Sequence, residues 1–259
     1  MILRGNVVSQ CLEMSTGLTI LVPDRYEEGH SYKTAYVLHG LRGSSGNWAD
    51  NTMLPIFARE YNTVFIMPEV ARSFYTDMKY GQKFFTYVTE ELPVICKSVF
   101  HISSKREDTA VIGASMGGYG ALKCALAKPE QYSYCAAFSA ACLYLKEYLD
   151  EYRPPEKREE VRAAFGDQIV SDFLSIYGEE LEWKPENEIM YLVEQAEKKT
   201  EKPKIYLACG DEDYLHESNA RFAGEMKNRN FDFTYEEWPG KHDWYFFNQA
   251  LEKALTYYK

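Results

Sequence analysis

Residues 109–126 of the chain read TAVIGASMGGYGALKCAL, and they predict a strand, a tight turn and a helix in direct succession. Residues 109–112 are apolar with β-branched members, which predicts a buried strand, and residues 118–127 are rich in Ala and Leu, which predicts a helix. Ser115 lies between them in the pattern G-x-S-x-G, formed with Gly113 and Gly117. A serine on a tight turn between a strand and a helix is the arrangement that presents a nucleophilic hydroxyl at the edge of a sheet.

The two glycines follow from the geometry of such a turn. A tight, strained turn lifts the hydroxyl above the sheet, and a side chain at Gly113 or Gly117 would collide with neighbouring backbone. The helix that follows directs backbone N–H groups at developing negative charge. A glycine-rich turn with an incidental serine is the alternative, and the strand-to-helix context argues against it.

Other apolar segments predict strands, and the segments between them predict helices. The strands are expected at residues 35–38, 63–67, 135–138 and 205–208, and the helices at 84–96, 219–228 and 244–258. Pro93 should bend or interrupt the first of these helices. Residues 18–22, closed by Pro23, alternate like an antiparallel edge strand. The sequence therefore predicts an α/β fold, with a mostly parallel central sheet and helices on both faces.

A charged region near residues 143–202 separates two of the predicted core strands. Because it lies inside the strand–helix alternation, we expect a helical insertion over one end of the sheet, within a single domain of residues 1–259. Two interpretations of the insertion stay open at this point. It is either a solvated helical excursion or a partial lid over a cleft.

Composition excludes several classes of protein. The formal net charge of −10 would repel a nucleic acid backbone, so no nucleic acid partner is expected. No apolar run approaches the length of a membrane span, and the first residues lack the layout of a signal peptide. The six scattered cysteines contain no C-x-x-C pair and favour a reducing cytoplasm. No metal site and no cofactor is expected, since no His and carboxylate cluster has ligand spacing.

The glycines fit neither of two phosphate-binding motifs. A Walker loop needs Gly-Lys followed by Ser or Thr, which the chain lacks. The glycines around Ser115 also lack the spacing of a dinucleotide fingerprint.

A serine hydroxyl needs a base, normally a histidine that a carboxylate orients. In the elbow-bearing fold the chain order is Ser, acid, His, which favours a histidine near the C-terminus. Of the five histidines, His242 alone follows late in the chain in a loop-like setting before the last predicted helix. The others are His30, His39, His101 and His216.

The acid should follow a late strand. Asp211 and Asp213 both lie in the loop after residues 205–208, and Asp213 is favoured because it clears the strand end. Its alternative role is to cap the following helix. His216 lies in the same short loop, which disfavours it as the base.

An oxyanion hole requires backbone N–H donors. One should be the amide of Met116, directly after the nucleophile, and the other the amide of Leu41 in the glycine-flanked turn after residues 35–38. His39 should support that turn. Trp48, Tyr119 and Trp244 are candidates for lining a substrate cleft, although each could equally pack in the core.

Several segments together resemble the putative-esterase family of the α/β-hydrolase superfamily. They are residues 38–40, 74–78, 90–93, 113–120, 209–215 and 239–244, so the likeness extends from about residue 35 to 250. The family includes esterase D, tributyrin esterases, and acetylxylan and feruloyl carbohydrate esterases. The resemblance implies Ser115, Asp213 and His242 as a catalytic triad, with Leu41 and Met116 as oxyanion donors.

The resulting hypothesis is a serine carboxylesterase that hydrolyses short-chain acyl esters, including acylated carbohydrates, through an acyl-enzyme. The alternatives are an S-formylglutathione-type thioesterase, a feruloyl esterase, an acyltransferase, and a non-catalytic binding protein on a hydrolase scaffold. The expected partner is a small-molecule or oligosaccharide ester, with no membrane partner. A homo-oligomer is compatible with the sequence.

Overall fold

In the computed structural model, which describes residues 1–24 and 31–258, eight strands form one sheet in the order β1-β2-β4-β3-β5-β6-β7-β8. The strands are β1 Ile2–Ser9, β2 Met14–Leu21, β3 Lys33–Leu38, β4 Thr63–Pro68, β5 Thr109–Ala114, β6 Tyr134–Phe138, β7 Lys204–Gly210 and β8 Phe233–Trp238. The pairs from β4 to β8 are parallel, while β2 pairs antiparallel with both β1 and β4. The prediction of a mostly parallel sheet is confirmed.

Two strands depart from the expectations. Residues 18–22 fall mainly in β2, which is antiparallel as predicted, but β1 covers its outer side and forms the edge instead. β8 was not predicted, because its sequence FTYEEW is polar and its residues are only half-buried at the opposite edge. Edge strands bury too little surface to produce a continuous apolar run.

Helices cover both faces of the sheet, as predicted. In the described part of the chain they are α1 Asn47–Asn51, α2 Leu54–Phe57, α3 Phe84–Thr86, α4 Leu92–Val99, α5 Met116–Ala127, α6 Leu145–Tyr152, α7 Pro155–Phe165, α8 Asp167–Tyr177, α9 Ile189–Glu197, α10 His216–Met226 and α11 Trp244–Tyr257. α5 and α10 contribute to the apolar core on one face, and α11 to the core on the other.

The helical segment from α3 to α4 contains the irregularity that Pro93 predicts. Tyr87–Glu91 forms a π-helical turn between the two α-helices. Proline has no N–H to offer the carbonyl four residues earlier, which belongs to Thr89. The side chain of Gln131 donates to that carbonyl at 3.0 Å instead. The carbonyl that the helix break leaves unpaired therefore gains a hydrogen-bond donor from outside the helix.

The predicted helical insertion comprises α6 to α9 between β6 and β7. A buried lysine on α5, Lys123, ties it to the rest of the molecule. Its Nζ donates to the Asn187 side chain in the insertion at 2.7 Å and to Thr76 Oγ1 at 2.9 Å. Burial lowers the pKa of Lys123 to about 7. The insertion is thus anchored to the helix that follows Ser115.

The described residues also bear on membrane spans and on the state of the cysteines. Among residues 1–24 and 31–258, no helix is both long and apolar enough to cross a membrane. All six cysteines are free thiols, and Cys11 is the one that is not buried.

Two helical glycines allow a matched test of how closely α5 approaches the sheet. A Cβ at Gly117 would lie 2.2 Å from the Leu38 carbonyl oxygen, whereas a Cβ at Gly224 in α10 would meet nothing within 4 Å. Gly117→Ala should lower the free energy of unfolding by about 3 kcal/mol through overpacking. Gly224→Ala should raise it by about 0.5–1 kcal/mol through helix propensity. Urea unfolding measures both, and equal stability of the two variants would contradict the close approach.

Candidate active site

Ser115 lies on the turn between β5 and α5, in a left-handed backbone conformation with φ of 58°. Such a conformation strains a residue other than glycine and persists only where the surroundings enforce it. A Cβ at Gly113 would lie 2.1 Å from the Gly117 carbonyl oxygen, so the expected collision is present in the geometry. The Ser115 N–H donates to the Phe138 carbonyl at 2.9 Å. The turn is therefore held from both sides.

His242 and Asp213 come together from the loops that follow β8 and β7. His242 Nδ1 lies 2.8 Å from Asp213 Oδ2, and the Asp213 carboxylate is fully buried. The Leu215 N–H donates to Asp213 Oδ1 at 2.9 Å. Burial alone would raise the pKa of Asp213, but the hydrogen bonds from His242, Leu215 and Ser139 outweigh burial and lower it. The carboxylate is thus ionised and faces the imidazole.

Aromatic rings pack around His242 and fix its plane. The ring centroid of Tyr214 lies 4.7 Å away, and that of Phe247 lies 5.2 Å away. The Tyr214 side chain also contacts the side chain of Ser115, which lowers the pKa of the phenol in opposition to burial. Ser115, Tyr214 and His242 line one pocket.

The two predicted oxyanion donors line this pocket as well. Met116 is the first residue of α5, where backbone N–H groups have no partner inside the helix. Leu41 lies on the turn after β3. Among the described residues, neither the Leu41 N–H nor the Met116 N–H has a hydrogen-bond acceptor. The turn comes close to the serine, because a Cβ at Gly40 would lie 3.5 Å from Ser115 Cβ.

His39 supports the turn that carries Leu41. Its Nδ1 lies 2.8 Å from the Gly40 carbonyl oxygen, and the Val70 N–H donates to its Nε2 at 3.2 Å. Glu69 accepts from the Ser45 N–H and the Ala71 N–H, each at 2.9 Å. His39 itself is buried and does not line the pocket.

The pocket has a volume of about 820 Å³, and the insertion forms one wall of it. That volume lies in the range of small-molecule sites. The insertion contributes Tyr148, Tyr152, Val161, Phe165, Ile169 and Phe173 to the lining. Of the two interpretations left open by the sequence, the structure favours a partial cover over the cleft, because these side chains reach the same cavity as Ser115.

An ion pair connects the insertion to the loop after β4, which in turn contacts the turn after β3. The guanidinium of Arg72 donates through Nε and Nη2 to Asp172 of α8, both at 2.7 Å, and Asp172 is buried. Arg72 Nη1 also lies 3.4 Å from the Leu41 carbonyl oxygen. Arg72 therefore links the insertion to the residue whose amide is a candidate oxyanion donor.

Two of the three aromatic residues predicted as candidates for the cleft do not reach it. Trp48 is buried and donates its indole N–H to the Leu38 carbonyl at 2.9 Å. Tyr119 is buried and donates its hydroxyl to the Asn187 carbonyl at 2.6 Å. For these two the lining prediction is wrong, because each ring packs in the core with its polar atom satisfied there. Trp244 does line the pocket and packs edge-on against Trp48 at 5.3 Å.

Asp211 and His216, which the sequence offered as alternatives for the acid and the base, lie outside the pocket lining. Asp211 is exposed, and its carboxylate accepts from the Gly240 N–H at 3.4 Å. His216 pairs with Glu237 at 2.9 Å and does not line the pocket. His30 lies outside the described residues. Among those that are described, no three His, Cys, Asp or Glu side chains are placed to hold a metal ion.

Sequence reasoning missed Arg42, Arg72 and Tyr214 as members of the pocket, and Asp172 as the ion-pair partner of Arg72. Tyr214 directly follows the predicted acid, which was the only available signal for it. Arg72 and Asp172 are 100 positions apart. No local pattern predicts that they meet, since their contact depends on how the insertion folds back.

Comparisons with known proteins agree with this fold and place the chain in a family. The family described as "Putative esterase" matches residues 9–258. An acetyl esterase of Caldicellulosiruptor saccharolyticus is 30% identical over 99% of this chain and 97% of its own length. The solved structure of FphF, a fluorophosphonate-binding serine hydrolase of Staphylococcus aureus, has a TM-score of 0.84, with 26% identity over 100% of this chain and 98% of that one. An S-formylglutathione hydrolase of the same organism has a TM-score of 0.82, with 26% identity and the same coverage.

The fold is therefore an α/β-hydrolase fold, and the protein is a carboxylic ester hydrolase. The chain belongs to the Putative esterase family. The family resemblance expected from the sequence is confirmed.

The support of the Leu41 turn should depend on pH through Glu69. Although burial opposes its ionisation, the neighbouring His39 ring and the hydrogen bonds from the Ser45 and Ala71 amides lower the pKa of Glu69 to about 2. A group with a depressed pKa stabilises the fold above its unfolded pKa and loses that effect as the pH falls through the folded pKa. Glu69→Gln should therefore cost roughly 2 kcal/mol at pH 7, allowing for partial exposure.

Urea unfolding of wild type and Glu69→Gln at pH 7, 5 and 3 measures this effect. The difference between the two proteins should shrink as the pH falls from about 5 towards 2. A difference that is the same at pH 7 and pH 3 would mean that the charge of Glu69 does not stabilise the turn.

Proposed function

We propose that this protein hydrolyses carboxylic esters of small acyl groups through an acyl-enzyme formed on Ser115. The observation that carries the proposal is the contact of 2.8 Å between His242 Nδ1 and the buried Asp213 carboxylate, in a pocket shared with the strained Ser115. A serine, an imidazole and a buried carboxylate in this relation can activate a hydroxyl for attack on a carbonyl.

In the proposed reaction His242 takes the proton of Ser115 as the hydroxyl attacks the ester carbonyl. Asp213 holds the imidazole in the required tautomer and stabilises the imidazolium that forms. His242 then protonates the leaving alcohol, and the acyl group remains on Ser115. Water, deprotonated by His242, attacks the acyl-enzyme, and the acid leaves with regeneration of the hydroxyl. The reaction uses no cofactor.

The amides of Leu41 and Met116 are proposed to stabilise the oxyanion of each tetrahedral intermediate. Their N–H groups are without acceptors among the described residues and line the same pocket as Ser115. Such donors stabilise the transition state because they are already oriented before charge develops. Losing one donor typically costs on the order of 10²–10³ in kcat.

The substrate class is proposed from the relative and from the cavity. The acetyl esterase that matches this chain over nearly its whole length supports a small acyl group. The cavity of about 820 Å³ far exceeds an acetyl group, so most of it would hold the alcohol part of the ester. The aromatic side chains of the insertion suit a sugar or another ring, because rings stack on the faces of such groups.

We further propose that the chain acts as one catalytic domain in a reducing cytoplasm. The continuous eight-stranded sheet, with site residues contributed from its early and late strands, supports one domain. The six free thiols support a reducing compartment.

Triad substitutions test the proposed mechanism. Ser115→Ala, His242→Ala and the double variant should each lower kcat for p-nitrophenyl acetate by about 10⁴ or more, and the double variant should be no worse than either single one. A fluorophosphonate probe should label wild type at Ser115 and should not label Ser115→Ala, as mass spectrometry of the labelled peptide would show.

Ser98→Ala, on the exposed side of α4, is the control and should keep wild-type kcat. Full activity of Ser115→Ala would reject the proposal. Losses that add in the double variant would reject His242 as the partner of Ser115 in one catalytic unit.

A thioesterase acting on an anionic thiol ester is a second candidate, and Arg42 favours it. Arg42 lines the pocket beside Leu41, is exposed, and forms no ion pair with any described residue. On a chain with a net charge of −10, a cation at this position can bind a carboxylate of the leaving group. The S-formylglutathione hydrolase of similar structure supports the same substrate class.

Arg42→Gln distinguishes the two candidates. It should raise KM for S-formylglutathione about tenfold, since an exposed charge-assisted hydrogen bond would be lost. KM for the uncharged p-nitrophenyl acetate should not change, which makes that ester the internal control. Equal effects on both substrates would remove the observation that favours the thioesterase.

A further inference from the structure

Next to Asp213 lies a buried pair of side chains, Ser139 directly after β6 and Cys209 in β7. The register between β6 and β7 pairs Phe138 with Ala208, so the next residues, Ser139 and Cys209, lie side by side at the carboxyl edge of the sheet. The Cys209 thiol donates to Ser139 Oγ at 3.6 Å. The Ser139 side chain in turn contacts the Asp213 side chain and helps to lower its pKa. The three groups form a chain that ends at the carboxylate.

The backbone of Ser139 is held in a strained conformation. Its φ is 42°, its side chain is buried, and its N–H donates to the Ala208 carbonyl at 2.8 Å. A left-handed conformation is unfavourable for serine relative to glycine, so the side chain is retained at a cost in backbone energy. A hydroxyl at this position therefore needs a reason other than the turn itself.

The residues that flank Ser139 contact the nucleophile and α10. The Phe138 carbonyl accepts the Ser115 N–H at 2.9 Å, and the Ala141 N–H donates to the Ser115 carbonyl at 3.2 Å. On the other side, the Ala140 N–H donates to the buried side chain of Asn219 in α10 at 3.0 Å. One short loop thus holds the backbone of Ser115 and reaches the Asp213 side chain.

We propose that Ser139 is a positioning residue, whose hydroxyl holds the Asp213 carboxylate in the orientation that faces His242, and that Cys209 orients this hydroxyl. The inference rests on the proposed function, in which Asp213 stabilises the imidazolium of His242. A carboxylate has several lone pairs, and the donors on its other sides determine its rotation. The Leu215 N–H binds Oδ1 and the Ser139 hydroxyl is a further donor, while Oδ2 faces His242.

The direction of the hydrogen bonds follows from the thiol. Burial, together with the nearby Asp213 charge, raises the pKa of Cys209 to about 12, even though the hydrogen bond with Ser139 opposes this. Cys209 therefore stays protonated and donates, so Ser139 Oγ acts as its acceptor. The single hydroxyl proton of Ser139 is then free to point at the carboxylate, which is an acceptor only.

Two substitutions at the same position separate the hydroxyl from the backbone strain. Ser139→Ala removes the hydroxyl and keeps the unfavourable φ, whereas Ser139→Gly removes the hydroxyl and relieves the strain. Both should lower kcat for p-nitrophenyl acetate by about tenfold to thirtyfold with little change in KM, because the lost hydrogen bond acts on the transition state. Ser139→Cys, which keeps a weak donor, should recover part of the loss.

A spectroscopic measurement reports on the contact itself. The proton on His242 Nδ1, hydrogen-bonded to Asp213, should give a downfield resonance in the proton NMR spectrum of wild type. In Ser139→Ala and Ser139→Gly this resonance should shift or broaden to the same extent. A residue that only stabilises the fold would leave the resonance in place in any variant that remains folded.

Cys209→Ala tests whether the Cys209 thiol orients the Ser139 hydroxyl. It should lower kcat about threefold in the wild-type background and should have no further effect in Ser139→Ala, because it acts through that hydroxyl. Ser9→Ala is the matched control, since Ser9 is a buried, hydrogen-bonded serine at the end of β1. It should reduce stability and leave kcat unchanged.

The outcomes distinguish the two proposals. Loss of activity in Ser115→Ala, with wild-type kcat in both Ser139 variants, would overturn the role of Ser139 alone. Recovery of wild-type kcat in Ser139→Gly would also overturn it, because backbone strain would then explain the loss in Ser139→Ala. Activity that survives Ser115→Ala would overturn the proposed function first.

Discussion

The close approach of α5 to the sheet sets the geometry of the active site and of the turns around it. The Gly117 backbone lies against the Leu38 carbonyl, and the Gly113 backbone against Gly117, at distances that leave no room for a Cβ. This packing forces Ser115 into a left-handed conformation and exposes the first N–H groups of the helix at the same point. It also brings the turn after β3 beside the serine. One steric condition thus assembles a hydroxyl and two candidate amide donors.

The remaining groups of the site reach that point because parallel strands end at one edge of the sheet. Ser139, Asp213 and His242 follow β6, β7 and β8 in turn. Their side chains form one line of hydrogen bonds from the core outwards to the imidazole. Burial would favour a neutral carboxyl group at the centre of this line, and the surrounding donors keep it ionised. The site is therefore an electrostatic arrangement that depends on the order of the strands.

The insertion shapes the cavity and is also joined to the site beneath it. Asp172 of α8 binds Arg72, which contacts the Leu41 carbonyl. The Asn187 side chain accepts a hydrogen bond from Lys123 of α5. Each contact links a polar group of the insertion to an element that carries part of the site. Buried polar contacts of this kind specify one arrangement, because any other would leave a charge or an amide unpaired. The cover and the site are consequently expected to move as one unit.

The local parts of this protein could be predicted from the sequence. Apolar periodicity and turn glycines predicted the central strands and the helices beside them, since each signal lies within a few neighbouring residues. The glycine turn and the chain order predicted Ser115, Asp213 and His242. The features that depend on contacts between distant segments became visible in the folded structure alone. The edge strands β1 and β8, the burial of Trp48 and Tyr119, and the aromatic wall of the insertion depend on which distant surface covers each segment. A local pattern carries no information about that surface.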